Sequence, residues 1–184
     1  EQQFEALRKI IPHNILGFET ATMQEVIHKI LTQRGLTLAV AESCTGGSIA
    51  ARFTAMPGAS AYFKGGVVAY WNQTKQRLLN VSQDTIARYG VVSKQVACLM
   101  AEGVRHAADT HYGIATTGIA GPTGGTPELP VGSVWIAVSS PERTIARLIH
   151  VKGDRSKVIH KAGSEAIALL EEELKQENTA RYNP

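Results

Sequence analysis

The stretch Leu36-Thr-Leu-Ala-Val-Ala-Glu-Ser-Cys-Thr-Gly-Gly47 decides the fold. Its first part, Leu36 to Ala41, is nearly continuous in apolar residues, as a strand buried on both faces requires. Upstream, Met23, Val26, Ile27, Ile30 and Leu31 fall on one face of a helix that Gly35 can terminate. Downstream, a helix is predicted from near Thr45 toward Met56, where Pro57-Gly58 breaks it. Helix, buried strand, helix is the rhythm of an α/β sheet.

Further along, Gly65 to Tyr70 reads as a second buried strand, and Asn72 to Leu79 as one or two helical turns. Ser82 and Ser93 are placed to cap the next two helices, the second of which buries Val96, Ala97, Met100, Val104 and Ala107. Tyr112 to Thr117 reads as a third buried strand. Gly132 to Ser139 and Thr144 to Val151 are β-rich and joined by only Ser140-Pro-Glu-Arg143, which predicts an antiparallel pair. The last helix opens at Asp154, and its polar tail from Lys175 is expected to fray. The fold predicted is a three-layer α/β/α sandwich with a mixed, mainly parallel sheet. It would occupy residues 21–176, after a lead-in of residues 1–20 and before a frayed tail of residues 177–184.

The chain of 184 residues has 19 Lys+Arg against 16 Asp+Glu, a formal charge of +3, and no block of five or more like charges. That disfavours nucleic acid as a partner. No apolar run approaches the length that spans a bilayer, so no membrane partner is expected. Glu1 to Ile10 lacks the basic and then apolar signature of an export signal. Cys44 and Cys98 stand apart with no C-x-x-C, which excludes a disulfide framework or thiolate zinc site and suits a reducing, cytoplasmic compartment. The six histidines, His106 and His111 included, show no ligand spacing, and no metal is predicted. Trp71 and Trp135 have strand-type neighbours and read as core or interface residues.

Three stretches could carry chemistry. Glu42-Ser43-Cys44-Thr45-Gly46-Gly47 lies at the carboxyl end of the buried strand and opens a helix, where free amides attract anions and the glycines admit a phosphate or an oxyanion. Thr117 to Gly132 packs glycines and prolines into a long loop with the same strand-end placement, so the two could face each other across one crevice. Tyr70, Asn72 and Lys75 follow the second strand. A lysine near a serine can act as its base if desolvation lowers its pKa, and a tyrosine can relay the proton. Arg155 at the start of the last helix could clamp a phosphate. Between Ser43 and Cys44, side-chain chemistry alone favours the thiol as nucleophile.

Taken in order, A-E-S-C-T-G-G at 41–47, F-K-G-G-V-V-A-Y-W-N-Q-T-K at 63–75, T-G-I-A-G-P-T-G-G-T-P-E-L-P-V-G at 117–132 and G-D-R at 153–155 resemble the CinA family. Its C-terminal domain is the nicotinamide mononucleotide (NMN) deamidase also found alone as PncC. The similarity covers about residues 21–172, and Ile11 to Thr20 looks like the segment that joins this domain to the N-terminal CinA domain. The resemblance implies hydrolysis of NMN to nicotinate mononucleotide and ammonia, without a cofactor. Ser43 would be the nucleophile, Lys75 the base and Tyr70 the proton relay, while Thr45, Gly46, Gly47, Asn72, Thr117, Gly118, Gly121 and Arg155 would bind substrate. Expected partners are NMN, an N-terminal CinA domain in the same full-length chain, and a second copy in a homodimer. Trp71, Leu129 and Lys152 depart from the family pattern, which commonly has serine, lysine and proline there. The alternative reading is a catalytically inactive ligand-binding or regulatory domain of a larger CinA-type protein.

Overall fold

The computed structural model describes residues 22–182, with side chains through residue 176; the expected lead-in of residues 1–20 lies outside the described residues. The first helix, α1 (Met23–Arg34), is fixed at both ends by local chemistry. Thr22 Oγ1 accepts the Glu25 amide at 3.3 Å while the Glu25 carboxylate accepts the Thr22 amide at 2.5 Å, a reciprocal capping box. Gly35 ends the helix in the left-handed conformation, at φ 63°.

The chain then enters β1 (Leu38–Glu42), in which all five residues are buried. Parallel partners flank it on both sides, β2 (Phe63–Val68) and β3 (Tyr112–Gly118). The full order is β2-β1-β3-β4-β5, and β4 (Ser133–Ser139) pairs antiparallel with β3 and with β5 (Thr144–His150). Only β4 is reversed, so the sheet is mixed with four strands pointing one way, as the sequence predicts.

Helices cover both faces. On one, α1, α2 (Ser48–Thr54) and α6 (Arg155–Tyr182) bury Ile27, Leu31, Phe53, Val158 and Leu170 against β1 and β3. On the other, α3 (Asn72–Leu79), α4 (Gln83–Tyr89) and α5 (Lys94–Ala107) bury Leu79, Val96, Met100 and Val104. Ser82 and Ser93 cap α4 and α5, accepting the amides of Thr85 at 3.0 Å and Val96 at 3.3 Å. The Asp154 carboxylate accepts the Lys157 amide at 2.8 Å at the start of α6. No described helix is long and apolar enough to cross a membrane.

Four expectations are corrected. β2 is not buried on both faces: its residues alternate between half-buried and exposed, with Val68 51% exposed. Among the described residues it is an edge strand paired with β1 alone, and one face stays open. The helix expected from Thr45 begins instead at Ser48, because Gly46 and Gly47 take positive φ angles of 61° and 98° that an α-helix cannot continue through. α6 is helical past Lys175, to Tyr182. No glycine or proline interrupts residues 164–182, and the i,i+4 pairs Lys161–Glu165 and Glu171–Lys175, at 2.6 and 2.7 Å, support the helix. Trp71 loses the core half of its core-or-interface expectation: it stands 63% exposed in the turn before α3.

One close approach sets up the site. A Cβ on Gly103 of α5 would lie 2.1 Å from the carbonyl oxygen of Leu79, the last residue of α3. Only glycine lets α5 press on that helix end, and α3 is the helix that carries Lys75. The carboxyl ends of β1 and β3 emerge side by side at the same rim, with Glu42 in register with Thr116. Ligands in α/β sheets bind at such a rim.

Candidate active site

Ser43 is the first residue beyond β1. Its amide donates to Thr116 O at 3.0 Å, which ties the turn to the neighbouring strand, and its side chain is buried. Lys75, in the first half of α3, points back beneath it. Lys75 Nζ donates to Ala69 O at 2.6 Å and lies 3.3 Å from Ser43 Oγ. This lysine is only 1% exposed, and no ion pair joins it to a carboxylate among the described residues. Burial lowers its pKa from the ordinary lysine value, with the nearby Cys44 opposing the shift. A desolvated amine without a counter-ion favours its neutral form, as a base beside a serine hydroxyl must.

Glu42 explains the turn. It is 1% exposed, and its carboxylate accepts the amides of Gly47, Ile49 and Ala50 at 3.0, 3.1 and 2.8 Å. The strand's last side chain thus caps the helix that follows, which holds the two left-handed glycines and fixes Ser43. Gly46 N donates to Ser43 O at 3.1 Å and Ser48 N to Thr45 O at 3.1 Å. The amides next after the serine, those of Cys44 and Thr45, donate to no backbone carbonyl among the described residues, and the Cys44 amide faces its own thiol.

A cavity of about 210 Å³ opens above the Ser43–Lys75 pair, lined also by Asn72, Thr117 and Gly118 and walled by Val91, Val92 and Ala120. It continues into an outer chamber of about 490 Å³ that reaches Tyr89, Gly121, Thr123 and Leu129. Tyr70 and Arg155 line both chambers. Arg155 Nη1 donates to Gly121 O and its Nη2 to the Tyr70 hydroxyl, each at 2.9 Å. The side chain therefore bridges the glycine-rich loop and the β2–α3 turn. Among the described residues, no three His, Cys, Asp or Glu side chains are grouped to hold a metal ion.

Residues 20–174 match the CinA C-terminal domain, and relatives and solved structures agree. The chain is 44% identical over 153 residues to a CinA-like protein of Acidobacterium capsulatum, covering 83% of this chain and 37% of that one. It is 39% identical over 174 residues to a CinA-like protein of Amoebophilus asiaticus, covering 95% of this chain and 42% of that one. The chain belongs to the CinA family. It spans about two fifths of the length of the curated relatives it matches. A crystal structure of competence damage-inducible protein A from Klebsiella pneumoniae superposes with a TM-score of 0.80 at 34% identity, covering 83% of this chain and 95% of that one. A CinA superfamily protein from Escherichia coli superposes with a TM-score of 0.77 at 33% identity, over 87% and 96% of the two chains.

This CinA domain brings Ser43, Tyr70, Asn72, Lys75, Thr117, Gly118 and Arg155 to the inner chamber and Gly121 to the outer one. The two loops do face each other. The expected phosphate cradle on the first of them is different: Thr45, Gly46 and Gly47 do not line either chamber. Thr45 Oγ1 is turned inward to Thr116 Oγ1 at 2.7 Å, and the Gly47 amide is already taken by Glu42. A buried carboxylate occupies the place where a phosphate was expected, and would repel one. Tyr70 lines the inner chamber with its hydroxyl accepting from Arg155, and it stands 60% exposed. Thr117 lines the chamber but donates its hydroxyl to Val91 O at 2.8 Å, pinning the apolar wall.

Sequence reasoning missed Glu42 and the Val91-Val92 wall. Signals existed for both: an acid closing an otherwise apolar strand invites a capping role, and an apolar pair between two helices, outside either helix face, has to pack on something. Cys44 lines the chamber yet is nearly inaccessible, and burial pushes its thiol pKa up to about 12.

Proposed function

We propose that this CinA domain hydrolyses the carboxamide of NMN, releasing ammonia and leaving nicotinate mononucleotide. The observation that carries the reading is the buried Lys75 amine, unpaired with any carboxylate among the described residues and 3.3 Å from Ser43 Oγ at the floor of a chamber. Neutral Lys75 takes the Ser43 proton as Oγ attacks the carboxamide carbon. The amides of Cys44 and Thr45, which donate to no backbone carbonyl among the described residues, follow the nucleophile and suit the developing oxyanion. The C–N bond then breaks, and the proton passes from Lys75, with Tyr70 as relay, to the leaving nitrogen, which departs as ammonia. Water, deprotonated by Lys75, attacks the Ser43 ester. The ester C–O bond breaks, and Lys75 returns the proton to Oγ.

The substrate's pyridinium is a fixed cation, and it disfavours a charged Lys75 in the same chamber. Arg155, at the neck between chambers, suits the phosphate. The longer CinA-like relatives support a further proposal, that a companion domain precedes this one in the full-length protein. Ammonia release measured with NMN, NAD and nicotinamide separately tests the activity. Turnover of NMN that falls at least about a thousandfold in both Ser43→Ala and Lys75→Arg supports it. No release from any of the three substrates leaves the non-catalytic ligand-binding reading.

A further inference from the structure

We infer that Arg155 is a latch on Tyr70, opened by the substrate's phosphate, so that this domain discriminates a nucleotide from its nucleoside in turnover as well as in binding. The inference rests on the amidase reading and extends it. Tyr70 lines the inner chamber with Ser43 and Lys75, yet its hydroxyl accepts a hydrogen bond from Arg155 Nη2 at 2.9 Å. The other arm of the guanidinium donates to Gly121 O, also at 2.9 Å. Both acceptors are neutral, and no ion pair of Arg155 with a carboxylate is found among the described residues. This arginine's charge at the neck of the cavity is therefore held only by weak partners.

A phosphate entering the neck competes with those two acceptors on unequal terms. A phosphate offers the guanidinium a full opposite charge and a bidentate fork–fork geometry, neither of which the tyrosine hydroxyl or the Gly121 carbonyl supplies. When Arg155 turns to the phosphate it gives up Tyr70, whose hydroxyl is then free to face the reacting groups. The phosphate can shift that equilibrium because it binds the released arginine better than the latched one. A nucleoside lacks the group that opens the latch. Arg155 is on this account a positioning residue, acting through Tyr70. The opposite account, in which Arg155 holds Tyr70 in its working position, predicts effects of opposite sign.

The decisive substrate is nicotinamide riboside, assayed by ammonia release with and without phosphite dianion to fill the vacant phosphate position. In the unmodified protein, turnover of the riboside should be at least about tenfold below that of NMN, and phosphite should raise it severalfold. Arg155→Ala should turn over the riboside faster than the unmodified protein and lose its response to phosphite, while its KM for NMN rises. Tyr70→Phe should erase the gain. Slower riboside turnover in Arg155→Ala, or no phosphite response in the unmodified protein, overturns the latch. A second measurement stands apart from hydrolysis. With 3-fluorotyrosine incorporated, the Tyr70 fluorine resonance, assigned by its loss in Tyr70→Phe, should move on adding ribose 5-phosphate but not ribose, and not in Arg155→Ala. An unmoved resonance refutes the latch. Absence of NMN hydrolysis with a moving resonance refutes only the amidase reading.

Discussion

At the residue scale the site turns on one desolvated lysine and on which of two neighbours it serves. Burial lowers the Lys75 pKa below 10.5, so the neutral base is available at lower pH than for a surface lysine. The proposed activity on NMN should rise with pH along one ionisation whose midpoint lies below 10.5, and Lys75→Arg should abolish it, since a guanidinium stays protonated. The same shift has a consequence for stability. Between the folded pKa and 10.5 the unfolded chain binds the proton that the folded chain has lost, so stability rises with pH across that window. The melting temperature of the natural protein, measured relative to Lys75→Met, should therefore climb from pH 7 to pH 10. A flat difference would mean that Lys75 is not perturbed.

Ser43 and Cys44 compete for the role of nucleophile, and thiol chemistry alone prefers the cysteine. The structure separates them: Ser43 Oγ faces Lys75 Nζ, whereas burial lifts the Cys44 thiol to about 12 and keeps it protonated. Cys44→Ala should keep turnover within about threefold, and a thiol alkylator at pH 8 should leave it unaffected, while Ser43→Ala loses it. Inactivation by the alkylator together with an active Ser43→Ala would reverse the assignment.

At the element scale, long-range ties hold the hairpin to the last helix. Arg143, beside the β4–β5 turn, donates to both Glu173 carboxylate oxygens at 2.8 and 2.7 Å, and Glu173 is only 3% exposed. Removing the arginine leaves a buried carboxylate without its cation, so Arg143→Ala should cost about 2 kcal/mol, and adding Glu173→Gln should recover part of it. Chemical denaturation of the three proteins reads both values. Equal stability of Arg143→Ala and the natural protein would show that the pair contributes nothing.

What the sequence discloses at this scale follows how local the physics is. β1 and α1 are legible because an unbroken apolar run and a Thr22–Glu25 cap act within a few residues. The edge position of β2 is not, since Phe63 to Val68 looks as apolar as an interior strand and only the strand order exposes it. Ser43 and Lys75 are singled out by their placement after strands and by the family resemblance. The Arg155–Tyr70 bond spans 85 positions and leaves no local trace. Glu42 lies between these cases: its capping targets are close in sequence, but the turn that folds them back depends on two glycines that read equally well as a phosphate cradle.

At the scale of the whole molecule, the site belongs to no single element. Its walls come from the turn after β1, the β2–α3 turn, the loop before α5, the β3–β4 loop and the start of α6. Those segments are joined at the rim by few direct bonds, among them Ser43 N to Thr116 O, Thr117 Oγ1 to Val91 O and the two arms of Arg155. A ligand that spans both chambers therefore adds links between parts that only a few direct bonds join. Any ligand that binds the folded chain alone stabilises it, by about 2.7 kcal/mol at a hundredfold excess over its Kd, and at this chain length each kcal/mol is worth roughly 2–4 °C. Nicotinate mononucleotide, the product of the proposed reaction, should raise the melting temperature by several degrees at saturation. Ribose 5-phosphate should reproduce a part of that rise, and the part should vanish in Arg155→Ala, whereas nicotinate alone should act equally on both proteins. A phosphate-dependent rise that survives in Arg155→Ala would place the anion on the glycine-rich loop instead of at the neck.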